Sequence, residues 1–132
     1  MGSPCDQIAP GALEVPYRVV IVEDHAETAE GLAELLGIWG FESHVAPSGE
    51  RALELIDHLA PQAVLSDIKL PGIDGYELAG LIRRKVGWEV LLIALTGCDD
   101  QVDFAAAGFD HHLKKPVDLD ALERLLEARR TQ

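Results

Sequence analysis

Three stretches of this chain are apolar without interruption: Val19-Val20-Ile21-Val22, Ala63-Val64-Leu65 and Val90-Leu91-Leu92-Ile93-Ala94-Leu95. None alternates apolar with polar residues, so none suits a sheet with one face in water. Each reads as a strand buried on both faces, and that requires a parallel sheet with helices on either side. Helical spacing fills the gaps between the runs. Leu32, Leu35, Leu36 and Trp39 recur at i, i+3, i+4 and i+7, and Ala52, Leu55, Ile56 and Leu59 repeat the pattern. Leu78, Leu81 and Ile82 mark a third apolar face, and Leu122, Leu125 and Leu126 a last one. Gly40 and Pro61 stop the first two helices, while Ser48, Asp74 and Asp118 stand where N-caps are needed. Arg83, Arg84 and Lys85 suit the C-terminal end of the third, where the helix dipole favours cations. A short Ala-rich helix is expected over about Gln101 to Ala107.

Two weaker strands complete the pattern. Phe41 to Ala46 carries Glu42, Ser43 and His44, and His111 to Lys114 is short and polar, so both read as sheet edges. Strand and helix thus alternate five times. The three most apolar strands are the first, third and fourth, which are the interior ones in a flavodoxin-like sheet of order 2-1-3-4-5. The expected fold is α/β, a flavodoxin-like (βα)5 three-layer sandwich. Residues 17–130 form the domain, and Met1 to Pro16, rich in Gly, Pro and Ala, is expected to be a flexible leader or linker.

Composition narrows the partners. A net charge of -12 argues against direct nucleic-acid binding, which needs cations to neutralise phosphates. No apolar run approaches the roughly 18 residues of a membrane span, and no basic-then-apolar signal opens the chain, so no direct membrane partner is expected. Cys5 and Cys98 are far apart in sequence and suggest neither a disulfide framework nor a zinc site, so a reducing, cytoplasmic setting is expected.

The chemistry gathers at the strand ends. The first strand ends in Glu23-Asp24, the third in Asp67, the fourth in Thr96 and the fifth in Lys115. Parallel strands put all these ends on one side, in the crevice where α/β folds bind ligands. Three carboxylates there repel one another, and a hard divalent cation such as Mg²⁺ (or Mn²⁺) relieves that cost. A lysine and a hydroxyl beside them match the spread charge of a phosphoryl group, with Asp67 as its nucleophile.

Glu23-Asp24, Asp67 followed by Pro71-Gly72-Ile73-Asp74-Gly75, Thr96 and Lys115-Pro116, in that order, resemble the receiver domain of two-component response regulators. The resemblance runs from Tyr17 to about Arg130. It implies that Asp67 accepts a phosphoryl group from a histidine kinase or histidine phosphotransfer protein. It implies that Asp24 and Asp67 ligate Mg²⁺ directly, with Glu23 acting through water and the backbone carbonyl of Lys69 as a further ligand. Thr96 and Lys115 then bind the phosphoryl group, and the peptide before Pro116 is expected to be cis. The segment from Gly108 to Asp118 is similar to receivers attached to hybrid histidine kinases, with a stand-alone regulator the other option. With no DNA-binding or catalytic domain after Arg130, output is expected to pass to a protein or domain outside this chain.

The chain departs from that pattern in places. His112 stands where the family's switch is usually aromatic, so the switch is expected to be weaker or pH-sensitive. Gly97 follows Thr96 where Ala is common, and Lys69 and Cys98 flank the phosphoryl position, where they are expected to tune the lifetime of the phosphate. His25 reads as exposed beside the acidic pair, and His111-His112 makes a poor chelate because adjacent strand residues face opposite ways. A haloacid-dehalogenase-like phosphohydrolase would want an Asp where Lys69 stands, and an insertion for a substrate cap. A receiver-like module that only binds would not need the full acidic set, and a flavin site would need a phosphate-binding loop after the first strand. A non-enzymatic phosphoacceptor is the expected function.

Overall fold

The computed structural model describes residues 16–97 and 103–130. The elements run β1 (Arg18–Val22), α1 (Ala26–Ile38), β2 (Glu42–Ala46), α2 (Gly49–Leu59), β3 (Ala63–Asp67), α3 (Gly75–Val86), β4 (Leu91–Thr96), α4 (Phe104–Ala107), β5 (His111–Lys114) and α5 (Leu119–Arg130). The five strands are all parallel, in the order β2-β1-β3-β4-β5, which is the expected flavodoxin-like arrangement.

The unbroken apolar runs are explained by two cores, one on each face. Val20, Val22, Val64, Leu92 and Ala94 point one way and pack with Ala52, Ile56, Leu78, Ile82, Phe104 and Phe109. Val19, Ile21, Ala63, Leu65, Leu91, Ile93 and Leu95 point the other way and pack with Leu32, Leu36, Leu122 and Leu126. Successive side chains leave opposite faces of a strand, so a strand covered on both sides must be apolar at every position. The edge strands lack one neighbour and carry the polarity: β2 is half-buried until Ala46, and β5 is exposed except at half-buried Leu113.

Local signals set the element ends. Ser48 Oγ accepts from the Arg51 N–H at 3.1 Å, and Asp74 Oδ1 from the Glu77 N–H at 2.9 Å. Asp118 Oδ1 accepts from Asp120 and Ala121 at 3.0 and 3.2 Å. Gly40 leaves α1 with a φ of 93°, in the left-handed region glycine tolerates. β2 starts one residue later than expected and β4 lies one residue further on, because Phe41 and Val90 are buried by packing rather than by strand pairing. Within the described residues α4 is a single short turn of helix, capped by Asp103 Oδ1 on the Ala106 N–H at 3.1 Å. The expected start near Gln101, and the Met1–Val15 part of the leader, lie outside the described residues.

Candidate functional site

The register of the sheet brings the chemistry to one rim. Asp67, the last residue of β3, pairs with Leu95, one residue before Thr96 at the end of β4. The Glu23 N–H donates to Ala46 O at 3.0 Å, so the chain stays beside β2 one residue past β1 and delivers its side chain to the same end. The Lys115 N–H donates to Thr96 O at 2.7 Å and anchors the end of β5 to β4. The Lys115–Pro116 peptide is cis.

One ammonium ties these ends together. Lys115 Nζ donates to Asp67 Oδ2 at 3.0 Å and to Glu23 Oε1 at 3.1 Å. The side chain of Glu23 is 0% exposed, that of Asp67 10% and that of Lys115 30%. Partial burial works against the charge on Lys115, but the hydrogen bonds and charges of Asp67 and Glu23 outweigh it and hold the ammonium above its ordinary range. The remaining oxygen of Asp67, Oδ1, accepts from the Ile68 N–H at 2.8 Å. Thr96 is buried at the rim.

The turn after Asp67 is held close to it. The Gly75 N–H donates to Ile68 O at 2.8 Å. A Cβ on Gly75 would sit 2.5 Å from Asp67 O and 2.7 Å from Ile68 Cα, so only glycine lets α3 begin against the β3 backbone. Lys69 is exposed on this turn. Cys98 lies outside the described residues.

On the other side of the crevice, Glu23, Asp24 and His25 each offer a ligand atom, and these atoms lie within 4.8 Å of one another. The His25 backbone N–H donates to Glu23 Oε2 at 3.2 Å, and its Nδ1 lies 3.3 Å from that oxygen and 3.5 Å from Asp24 Oδ1. Asp67 stands apart from this group and is joined to it through Lys115. His25 is the residue sequence reasoning set aside. It is 75% exposed, as expected, yet it turns back toward the carboxylates. Its signal was the unbroken Glu-Asp-His run. The donor set fits a divalent cation: Lys115 meets the carboxylates of Glu23 and Asp67, Asp24 stands beside Glu23, and the formal negative excess of three carboxylates over one ammonium is what a hard dication neutralises.

His112 is exposed on β5 and stacks on Phe104, with ring centroids 4.5 Å apart and planes 19° apart. Arg83 does more than meet the α3 dipole. Its Nε donates to Gly108 O at 2.7 Å, NH1 to Gly87 O and Val90 O at 3.0 and 2.7 Å, and NH2 to Asp110 Oδ2 at 2.8 Å. The guanidinium also lies 4.1 Å from the centroid of Trp88.

The family model described as "Response regulator receiver domain" matches residues 19–127. An uncharacterized 14.6 kDa protein of Leptolyngbya boryana is 36% identical over 113 residues, which cover 83% of this chain and 86% of that protein. The sensor histidine kinase RcsC of Salmonella typhi is 33% identical over 111 residues, 82% of this chain but 12% of the kinase, so the chain spans a small part of that relative. Among solved structures, the Saccharomyces cerevisiae complex of the histidine phosphotransfer signaling protein Ypd1 with the receiver domain of Ssk1 matches with a TM-score of 0.76 and 26% identity. That match covers 84% of this chain and 86% of the other. No helix among the described residues is long and apolar enough to cross a membrane.

Proposed function

Because this chain belongs to the response regulator receiver domain family, we propose that Asp67 accepts a phosphoryl group from a phosphohistidine donor and that the aspartyl phosphate switches a protein-binding surface. The observation that carries this is the single ammonium of Lys115 held between Asp67 Oδ2 and Glu23 Oε1 at the tips of parallel strands. An ammonium shared by two carboxylates is poised to follow negative charge as it moves onto a phosphoryl group.

In the transfer, a carboxylate oxygen of Asp67 forms a bond to phosphorus. The bond from phosphorus to the donor's imidazole nitrogen breaks, and its electron pair stays on that nitrogen. A Mg²⁺ ion, when bound, supplies charge neutralisation for the incoming phosphoryl oxygens. Asp24 and Asp67, with the Lys69 carbonyl, would hold the ion and Glu23 would act beside them. The Ile68 N–H fixes Asp67 Oδ1, and Lys115 is free to exchange Asp67 Oδ2 for a phosphoryl oxygen. Thr96, on the neighbouring strand end, donates its hydroxyl to the same group, and His112 responds through its stack on Phe104. Lys69 and Cys98 tune how long the phosphate survives. The phosphodonor is a histidine kinase or histidine phosphotransfer protein, and the likeness to the Ypd1-bound Ssk1 receiver supports this. The phosphorylated domain acts on a protein or domain outside this chain, not on nucleic acid, in the cytoplasm, and turns over no substrate.

Incubation with acetyl phosphate and Mg²⁺, followed by intact mass, tests the reading. The expected result is one added phosphoryl group, lost in Asp67→Asn and in the presence of chelator. An Asp67→Asn protein labelled like its parent would overturn it.

A further inference from the structure

The peptide between Asp67 and Ile68 is engaged at both of its polar groups. Its N–H donates to Asp67 Oδ1 at 2.8 Å. Its carbonyl, Asp67 O, accepts from the hydroxyl of Ser66 at 2.8 Å. A peptide is planar, so fixing the direction of the C=O fixes the direction of the N–H. Ser66 thus reaches the Asp67 carboxylate through one rigid unit without touching it. The start of α3 closes on the same unit. The Gly75 N–H donates to Ile68 O at 2.8 Å, and a Cβ on Gly75 would lie 2.5 Å from Asp67 O.

Packing alone does not call for a hydroxyl at this place. Ser66 is 1% exposed, and it pairs with Val22 of β1 and Ala94 of β4. Alternation along β3 turns its side chain to the face of Val64, where Val22, Ala52 and Ala94 form the core. An apolar side chain suits such surroundings, and a buried hydroxyl is costly unless it is bonded. The bond that Ser66 makes goes to the backbone of the proposed phosphoacceptor. Asp67 Oδ2, by contrast, faces the ammonium of Lys115, which a phosphoryl oxygen can take over. One carboxylate oxygen is thus held by backbone and the other is left for exchange. A carboxylate free to turn about its Cβ–Cγ bond meets a phosphoryl group at many angles, and one fixed at Oδ1 meets it at few.

We propose that Ser66 is a positioning residue for phosphoryl transfer: by fixing the Asp67–Ile68 peptide, its hydroxyl sets the angle at which the Asp67 carboxylate meets the incoming group. This rests on the reading of Asp67 as the phosphoacceptor and deepens it. Ser66 acts on the rate of the transfer step and not on how the small phosphodonor is bound, because its hydroxyl is buried beneath the strand end and faces away from the crevice.

The test compares Ser66→Thr and Ser66→Val, which share whatever strain the added bulk brings and differ by the hydroxyl, with Ser66→Ala, which removes the hydroxyl and adds no bulk. The full chain is labelled with acetyl phosphate and Mg²⁺, and the rate is read by intact mass over a range of acetyl phosphate concentrations. In Ser66→Ala and Ser66→Val the maximal rate should fall about tenfold with the half-saturating concentration unchanged, short of the roughly hundredfold that a misplacement of about 1 Å can cost. Ser66→Thr should keep the maximal rate within about twofold of the parent. Amide exchange at Ile68 in the metal-free chain should quicken in Ser66→Ala and stay close to the parent in Ser66→Thr. A Ser66→Ala protein that unfolds earlier but keeps the parent's maximal rate would make Ser66 a merely structural residue and overturn the proposal, as would a Ser66→Thr protein as slow as Ser66→Val. Either result leaves the phosphoacceptor reading standing. Labelling that survives Asp67→Asn would overturn that reading, and the positioning role with it.

Discussion

Replacing Lys115 by Met removes the ammonium and keeps the length and apolar stem of the side chain. Glu23 then keeps a fully buried carboxylate with one partner gone, and Asp67 loses the donor at Oδ2. Two estimates bound the cost. Removing one member of a buried pair typically costs about 3–5 kcal/mol, and an exposed pair is worth about 0.2–1 kcal/mol. Lys115 lies between these limits, with 30% of its side chain exposed, and Glu23 Oε2 still accepts from the His25 N–H. Independently, two oxygens on one nitrogen at 3.0 and 3.1 Å lie within about 6 Å of each other. Two unit charges at that distance repel by about 3 kcal/mol at an effective dielectric constant of about 20. Both routes give roughly 2–3 kcal/mol, or a melting point lowered by roughly 8–15 °C for a domain of this size. Thermal unfolding followed by circular dichroism, in chelator at low salt, checks it. A variant that melts within about 2 °C of its parent would refute the claim that this ammonium holds the strand ends together. The alkaline arm has a definite sign. The folded pKa of Lys115 is raised, so its stabilisation is complete below the unfolded value of about 10.4 and fades as pH climbs through the folded value. The gap between parent and variant should therefore close at strongly alkaline pH.

Gly75→Ala should cost about 1–3 kcal/mol in urea unfolding, because the new Cβ meets the fixed backbone of Asp67 and Ile68 rather than a yielding side chain. Parent-like stability would mean that the α3 start shifts freely. Arg83→Met strips donors from Gly87 O, Val90 O and Gly108 O and leaves the Asp110 carboxylate, among the described residues, with the Leu92 N–H. A loss of about 3 kcal/mol or more is expected by chemical denaturation, and a loss under about 1 kcal/mol would show that water replaces the guanidinium. Asp118→Ala should cost about 1 kcal/mol through the lost α5 cap, with faster amide exchange at Asp120 and Ala121 as the local readout.

Most of the fold was legible because burial on both faces leaves a plain mark. A strand such as Leu91–Thr96, with a core on each side, has no room for alternation, and short-range caps such as Ser48, Asp74 and Asp118 follow from neighbours three residues away. The candidate site was legible for a related reason: each group stands at the end of a strand, so order along the chain became position in space. What stayed hidden depends on contacts between distant elements. Arg83 looked like one of three dipole-complementing cations, but its partners Gly108 and Asp110 lie 25 and 27 residues away. Gly75 entered the sequence reading only as the last residue of Pro71-Gly72-Ile73-Asp74-Gly75, whereas its requirement comes from the backbone of Asp67 and Ile68, which a Cβ would meet. The stack of His112 on Phe104 joins two elements that no local pattern connects.

The placement of Lys115 bears on how a charge at Asp67 leaves the site. Glu23 and Asp67 follow strands buried on both faces, with the full apolar layers above and below them. Lys115 follows β5, whose four residues are exposed apart from half-buried Leu113, and which has β4 as its single strand neighbour. Of the three groups joined by the ammonium, Lys115 is thus carried by the element with the least apolar burial to lose on moving. If Asp67 takes a phosphoryl group as proposed, the added negative charge draws on Lys115 while the interior strands, buried on both faces, resist displacement. The response falls on β5 and the elements fastened to it: Thr96 through the Lys115 N–H, and α4 through His112 on Phe104. Asp110, held by Arg83 and by the Leu92 N–H, marks where that movement must stop, because the start of β5 is clamped to the interior of the fold. On that reading β5, pinned at its first end and drawn by its lysine at the other, would pivot rather than slide, and its exposed side chains would be where the proposed phosphorylation of Asp67 reaches the surface.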